Sequence, residues 1–344
     1  MSRHLFRPIL ACSRNFARPE QLRALSTAKS NSVRIVEVGA RDGLQNEKKS
    51  IPVATKIELI ERLAKTGLKD IEAGSFVSPK WVPQMDASDK ILEHLLKNPP
   101  KAPHPVAYSF LAPNAKGLEN ALSVLHANPQ NDTTFKPIEL SVFAAATESF
   151  SQKNLNCSIA DSLLKFREVI KGAKDEGLRV RAYISVVLGC PFEGYDVDPK
   201  KVAEIACDLM EMGADEIALG DTTGMGTVPR TAELLKALKA AGLRSEDLAM
   251  HFHDTYGQAL VNTAVSLESG IRSFDSSVGG LGGCPYSPGA TGNVSTEDMV
   301  YFMESLGLDT GVDLDAVVDI GDWITKEIGK ENSSSVGKAI LGKR

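Results

Sequence analysis

No hydrophobic run in this chain is long enough to cross a membrane as a helix. A span needs about 18 or more apolar residues in a row, and stretches such as Ile184 to Leu188 are strand-sized. Cysteine is scarce: five in 344 residues, an odd number, scattered at positions 12, 157, 190, 207 and 284. That pattern excludes a disulfide framework and suits a reducing compartment. Positive charge is not in excess either. The formal net charge is −5, so no global basic field points to nucleic acid. With 42% hydrophobic and 24% charged residues, the composition is neither disordered nor collagen-like.

What charge asymmetry there is lies at the N-terminus. Residues 1–30 carry Arg3, Arg7, Arg14, Arg18, Arg23 and Lys29 against one acid, Glu20, with Ser2, Ser13, Ser26, Thr27 and Ser30 interspersed. An Arg-rich, Ser-containing, acid-poor leader has the composition of a mitochondrial transit peptide; a disordered basic tail is the alternative. A secretory signal is disfavoured because Arg7 and Pro8 break the short apolar core. Without this segment the net charge of −5 becomes −10.

From Val33 the chain alternates short β-branched runs with stretches of 3.6-residue period. Strands are predicted at 33–39, 70–75, 105–111, 138–144, 180–188, 216–220, 248–253 and 273–278. Helical patterns are predicted at 55–67, 159–177, 199–213, 229–242 and 256–270, with two more at 296–307 and 313–329. Several of them end on Gly, the usual residue past a helix terminus. The eight strand starts are 25–42 residues apart, which fits a (β/α)8 TIM barrel with extra C-terminal helices. A doubly wound sheet is the competitor, but Gly39-Ala40-Arg41-Asp42-Gly43 after the first strand is not its phosphate-binding glycine turn. The expected organisation is a transit peptide at 1–30, one barrel domain at 31–331 and a flexible tail at 332–344.

A barrel carries its chemistry where its strands end. Strand one ends in Arg41-Asp42, strand two contains Glu72, and strand seven ends in His251-Phe252-His253. His251 and His253, two apart on a strand, point to the same side and can bind one metal; hydrogen-bonded core histidines are the alternative. Asp42 lies at the end of strand one, and Asn293 lies beyond strand eight, its neighbour once the barrel closes. Two nitrogens and at least two oxygens suit an octahedral divalent ion, Mg²⁺ or Mn²⁺, better than tetrahedral Zn²⁺. Arg41 would carry its fixed charge to an oxygen that becomes an enolate; a surface ion pair with Asp42 is the alternative. Residues 278–293 hold six glycines and two prolines around Cys284, which reads as a hinged loop with a functional thiol. Cys207 reads as core, while Cys157 and Cys190 are placed equally well in the core or beside the site.

Three motifs, Val38-Gly39-Ala40-Arg41-Asp42-Gly43-Leu44-Gln45-Asn46, His251-Phe252-His253-Asp254-Thr255-Tyr256-Gly257-Gln258-Ala259 and Ser276-Ser277-Val278-Gly279-Gly280-Leu281-Gly282-Gly283-Cys284-Pro285-Tyr286, closely resemble the 3-hydroxy-3-methylglutaryl-CoA lyases. The resemblance runs from about residue 33 to 330. Arg-Asp-Gly and His-x-His are shared with related barrel synthases, including isopropylmalate and homocitrate synthases; Gly-Gly-Cys-Pro-Tyr is more specific to the lyases. The resemblance implies cleavage of (S)-3-hydroxy-3-methylglutaryl-CoA to acetyl-CoA and acetoacetate, in leucine degradation and ketone-body formation in the mitochondrial matrix. It implies metal binding by Asp42, His251, His253 and Asn293, and catalytic parts for Cys284, Arg41, Asp42, Glu72 and His251. It also places Asn154, Ser158, Tyr183 and Thr222 near the substrate and links Glu297 to catalysis. Ala218 stands where relatives can carry Ser. Its members are commonly homodimers. A Claisen-type synthase and a non-catalytic acyl-CoA-binding barrel are the rival readings.

Overall fold

A computed structural model describes residues 31–129, 137–283 and 292–344. The expected transit segment and Cys284 lie outside the described residues. Eight strands form a closed barrel in sequence order: β1 (Arg34–Glu37), β2 (Asp70–Ser75), β3 (Ala107–Leu111), β4 (Ile138–Ala145), β5 (Arg179–Ser185), β6 (Glu216–Asp221), β7 (Leu248–Phe252) and β8 (Ser273–Ser276). All neighbours are parallel, and β8 closes onto β1 with Ser273 opposite Arg34. This is the (β/α)8 barrel that the sequence spacing predicts.

The outer layer consists of α1 (Val53–Leu63), α2 (Ser88–Lys97), α3 (Ala115–Ala127), α4 (Glu148–Leu155), α5 (Ile159–Asp175), α6 (Pro199–Met212), α7 (Val228–Ala240) and α8 (Ala259–Glu268). After β8 come α9 (Thr296–Ser305), α10 (Leu314–Ile328) and α11 (Ser335–Leu341). Local chemistry sets their limits. Helix α6 starts with the Asp198 side chain accepting from the Lys200 N–H and Pro199 in the first turn, and it ends where Gly213 takes φ +115°. Helix α5 buries Ile159, Leu163, Phe166 and Ile170 on one face. Leu164, one residue along from Leu163, points to solvent. No described helix is long and apolar enough to cross a membrane.

Several boundaries differ from the sequence reading, and α2, α3 and α4 are additional to it; three of the differences have a clear local cause. Strand β1 stops at Glu37, because Gly39–Gly43 wind into a single π-helical turn in which the N–H groups of Arg41, Asp42 and Gly43 all meet the Val38 carbonyl at 3.2, 2.8 and 3.1 Å. Strand β5 stops at Ser185, because Val186 adopts φ +57°, a turn that a β-branched residue holds only under strain. The tail expected to be frayed contains α11. Asp298 of α9 ties it down, accepting from Ser334 Oγ and from the N–H groups of Ser335 and Val336 at 3.0, 3.2 and 2.7 Å.

Candidate active site

A cleft of about 550 Å³ opens where the strands end, the face on which barrels of this type carry chemistry. Arg41, Asp42, Tyr183, Thr222, His251 and His253 line it, with Asn154 and Cys157 on its wall. The π turn after β1 places Arg41 and Asp42 side by side in the cleft. It depends on glycine at 39, where a Cβ would stand 2.5 Å from Glu37 Oε1.

Arg41 is clamped. Nη1 donates to Asp42 Oδ1 at 2.7 Å, and Nη2 meets Glu72 Oε2 at 2.6 Å. Its Nε–H has no partner among the described residues. Burial would weaken the guanidinium as a cation, but Glu72 and Asp42 hold its pKa far above the ordinary value. Glu72 is fully buried beneath it and accepts from Ser141 Oγ at 3.1 Å and Tyr183 Oη at 3.2 Å.

Asp42, His251 and His253 face a common point. His251 Nε2 lies 3.9 Å and His253 Nε2 3.8 Å from Asp42 Oδ2. These separations are too long for good hydrogen bonds and suit atoms that share one ion, and the three residues form a group able to hold a metal. Asn293 reaches the same carboxylate oxygen, donating through Nδ2 at 2.8 Å. Asn293 Oδ1 and His253 Nδ1 are buried without partners among the described residues. An amide presents its oxygen or its nitrogen by a half-turn, so this donor set fits a divalent cation. Burial alone would raise the Asp42 pKa, but Arg41 and the two imidazoles hold it well below the carboxylate range. Burial opposes charging of both imidazoles. For His251 the neighbouring Asp275 and Asp42 outweigh it and the pKa rises; for His253 burial prevails and the pKa falls.

The structure thus brings Arg41, Asp42, Tyr183, Thr222, His251, His253 and Asn293 together, with Asn154 at the wall and Glu72 below. Ser158 is placed otherwise. It caps α5, accepting from the Asp161 N–H at 3.0 Å, and does not line the cleft. Cys190 is buried behind the site, where Thr147 Oγ1 reaches its sulfur at 3.2 Å. Cys207 packs against the core. Ala218 sits in a small apolar cluster with Tyr183 and Ala249. Asp275 and Arg181 were not anticipated. Asp275 Oδ2 accepts from His251 Nδ1 at 3.0 Å, and Arg181 grips Asp275 from below. A charged residue in the inward phase of a barrel strand is the signal that marks both.

Two further acids lie under the Gly279–Gly280 turn. Glu37 accepts from the N–H groups of Gly39 and Val278 at 2.8 and 3.0 Å, and Glu297 takes the Gly279 N–H at 3.0 Å. Burial pushes Glu37 to about 7 and Glu297 to about 8. Both are protonated in the folded protein at pH 5 and ionised in the unfolded chain above its ordinary carboxyl pKa. Their stabilising effect is therefore full below about pH 4 and is lost as pH rises through 7 and 8. Unfolding free energy from urea titrations should fall between pH 5 and pH 8 by about 1–3 kcal/mol per pH unit. Glu297→Gln should flatten that slope.

The HMGL-like family model matches residues 32–324. A Pseudomonas aeruginosa protein named 3-hydroxy-3-isohexenylglutaryl-CoA/hydroxy-methylglutaryl-CoA lyase is 52% identical over 311 residues, covering 90% of this chain and 98% of its own. A Rattus norvegicus protein named hydroxymethylglutaryl-CoA lyase, mitochondrial, is 46% identical over 322 residues, covering 92% and 94%. Among solved structures, an HMG-CoA lyase from Acinetobacter baumannii in complex with coenzyme A and 3-methylmalate superposes with a TM-score of 0.81 at 32% identity, covering 91% of this chain and 96% of that one.

Proposed function

The chain belongs to the HMGL-like family, and from that premise we propose that it cleaves (S)-3-hydroxy-3-methylglutaryl-CoA into acetyl-CoA and acetoacetate. The observation that carries this reading is the meeting of Arg41 with the Asp42–His251–His253 group at one end of one cleft. Asp42, His251, His253 and Asn293 would hold a divalent cation, Mg²⁺ or Mn²⁺. When bound, such an ion supplies Lewis-acid acidification of an alcohol.

The reaction breaks the C2–C3 bond. The 3-hydroxyl gives its proton to Asp42 or His251, C3 becomes the ketone of acetoacetate, and the bonding pair moves to the thioester enolate. Arg41 answers the charge on the enolate oxygen, its clamped guanidinium leaving the Nε–H without a partner among the described residues. Tyr183, Thr222 and Asn154 border the acyl group in this reading. Cys284, carried by the glycine-rich loop, protonates C2 to complete acetyl-CoA. Residues 1–30 act as a mitochondrial transit peptide, a reading supported by their composition and by relatives named as mitochondrial.

The test is incubation of the purified chain with Mg²⁺ and 3-hydroxy-3-methylglutaryl-CoA, reading acetoacetate. Acetoacetate should form, and mixing with acetyl-CoA and 2-oxo acids should release no free CoA. The opposite pair of results would favour a synthase. Cys284→Ser should lower turnover about 10²–10⁴-fold with bound metal unchanged, and near-normal turnover would remove the proton-donor role.

A further inference from the structure

Beneath the cleft a single side chain reaches both halves of the site through its neighbours. Arg181 of β5 is 3% exposed at the centre of the barrel. Nη2 and Nη1 donate to Asp275 Oδ1 and Oδ2 at 2.6 and 3.1 Å, and Nε donates to Glu216 Oε2 at 2.8 Å. Nη1 also donates to Tyr183 Oη at 3.0 Å. Two chains of contact leave this guanidinium. One runs through Asp275 to His251 Nδ1 at 3.0 Å. The other runs from Tyr183 Oη to Glu72 Oε2 at 3.2 Å, and the same oxygen meets Arg41 Nη2 at 2.6 Å.

We propose that Arg181 is a positioning residue that sets both the imidazole of His251 and the guanidinium of Arg41 through Asp275 and Tyr183. The proposal rests on reading the Asp42–His251–His253 group as a metal site. Arg181 lies below the cleft wall and acts only through its neighbours. A planar guanidinium fixes a carboxylate bidentately, and so holds Asp275 in one orientation. Asp275 then accepts the His251 Nδ1–H, which leaves the Nε2 lone pair facing Asp42. On the other arm, Tyr183 Oη accepts from Arg181, so its own proton is directed to Glu72. Glu72 receives the hydroxyls of Tyr183 and Ser141 and anchors Arg41 with the oxygen that Tyr183 shares.

Barrel interiors are ordinarily filled by layers of branched apolar side chains. Replacing buried ion pairs by such side chains is often neutral or stabilising. Charge here is therefore poorly explained as glue alone, and the bidentate geometry accounts for it as an orienting device.

The experiment measures Mn²⁺ dissociation constants of the full chain by electron paramagnetic resonance of the free ion, and kcat at saturating Mn²⁺. The variants are Arg181→Lys, Arg181→Gln, Asp275→Asn, Tyr183→Phe and the doubles of Arg181→Lys with the latter two. Asp275→Asn should weaken Mn²⁺ binding about 10–100-fold, and Arg181→Lys should weaken it about tenfold or more. The Arg181→Lys/Asp275→Asn double should bind little worse than Asp275→Asn alone, because both act on one arm. Tyr183→Phe should leave Mn²⁺ affinity unchanged and lower kcat, non-additively with Arg181→Lys. Folded Arg181 variants with wild-type Mn²⁺ affinity and kcat and only a lower Tm would overturn the proposal, as would additive doubles. If neither Arg181 variant folds, wild-type Mn²⁺ affinity in Asp275→Asn overturns it. Absence of Mn²⁺ binding by the unaltered chain would instead sink the metal-site reading itself.

Discussion

Replacing His251 and His253 together by Ala should take bound divalent metal from about one ion per chain to none, and turnover with it. His251 in β7 and His253 one residue past its end both point their Nε2 atoms at Asp42 Oδ2, at 3.9 and 3.8 Å. Asp42 and Asn293 would remain, too few protein ligands to hold an ion against water at ordinary concentrations. The barrel should survive, since these side chains sit at its open end rather than in its apolar layer. Metal analysis of the purified variant, beside a circular dichroism spectrum, reads both outcomes. Full occupancy in the double variant would refute the ligand set.

Arg41→Met should lower kcat about 10²–10³-fold, the loss typical when a charge-stabilising donor is removed. KM should move far less, because the enolate charge exists in the transition state and not in bound substrate. The same substitution leaves Glu72 fully buried with, among the described residues, only the hydroxyls of Ser141 and Tyr183 as donors. Breaking a buried pair from one side costs about 3–5 kcal/mol, so the single variant should also be less stable. Adding Glu72→Gln should recover part of that stability and none of the turnover. A variant whose kcat recovers along with its stability would make Arg41 a structural residue only.

Much of this site was legible because a parallel barrel gathers all strand ends at one rim. Once eight strand–helix units were counted, Arg41-Asp42, His251-x-His253 and Asn293 had to meet, although Asp42 and Asn293 are 251 residues apart. The order of ends around the rim did the work, and β8 beside β1 is what joins the first and last of them. Not every helix was legible: α2 is missing from the sequence reading although it buries Ile91, Leu92, Leu95 and Leu96, and others have a thin apolar face. Helix α4 buries only Phe150 and Ser151, leaving little periodicity to read. Helix α11 is short and is held by Asp298 of α9, a long-range contact that local composition does not reveal. Ser158 carries a helix cap, a use of serine that fits the same residue type as a ligand contact. Arg181 and Asp275 are hidden in the sequence for a different reason. Barrel interiors are expected to be apolar, so charged residues in strand phase stand out without a local signal of their role, although Arg181 pairs with Glu216 and His251 with Asp275 across adjacent strands.

The decisive measurement is a crystal of the full chain grown with Mn²⁺, with data collected at a wavelength where manganese scatters anomalously. One peak should appear at the strand-end cleft, about 2.0–2.4 Å from an Asp42 oxygen and from the Nε2 atoms of His251 and His253, with the Asn293 amide in reach. A peak elsewhere, or an active crystal with none at this position, would contradict the account.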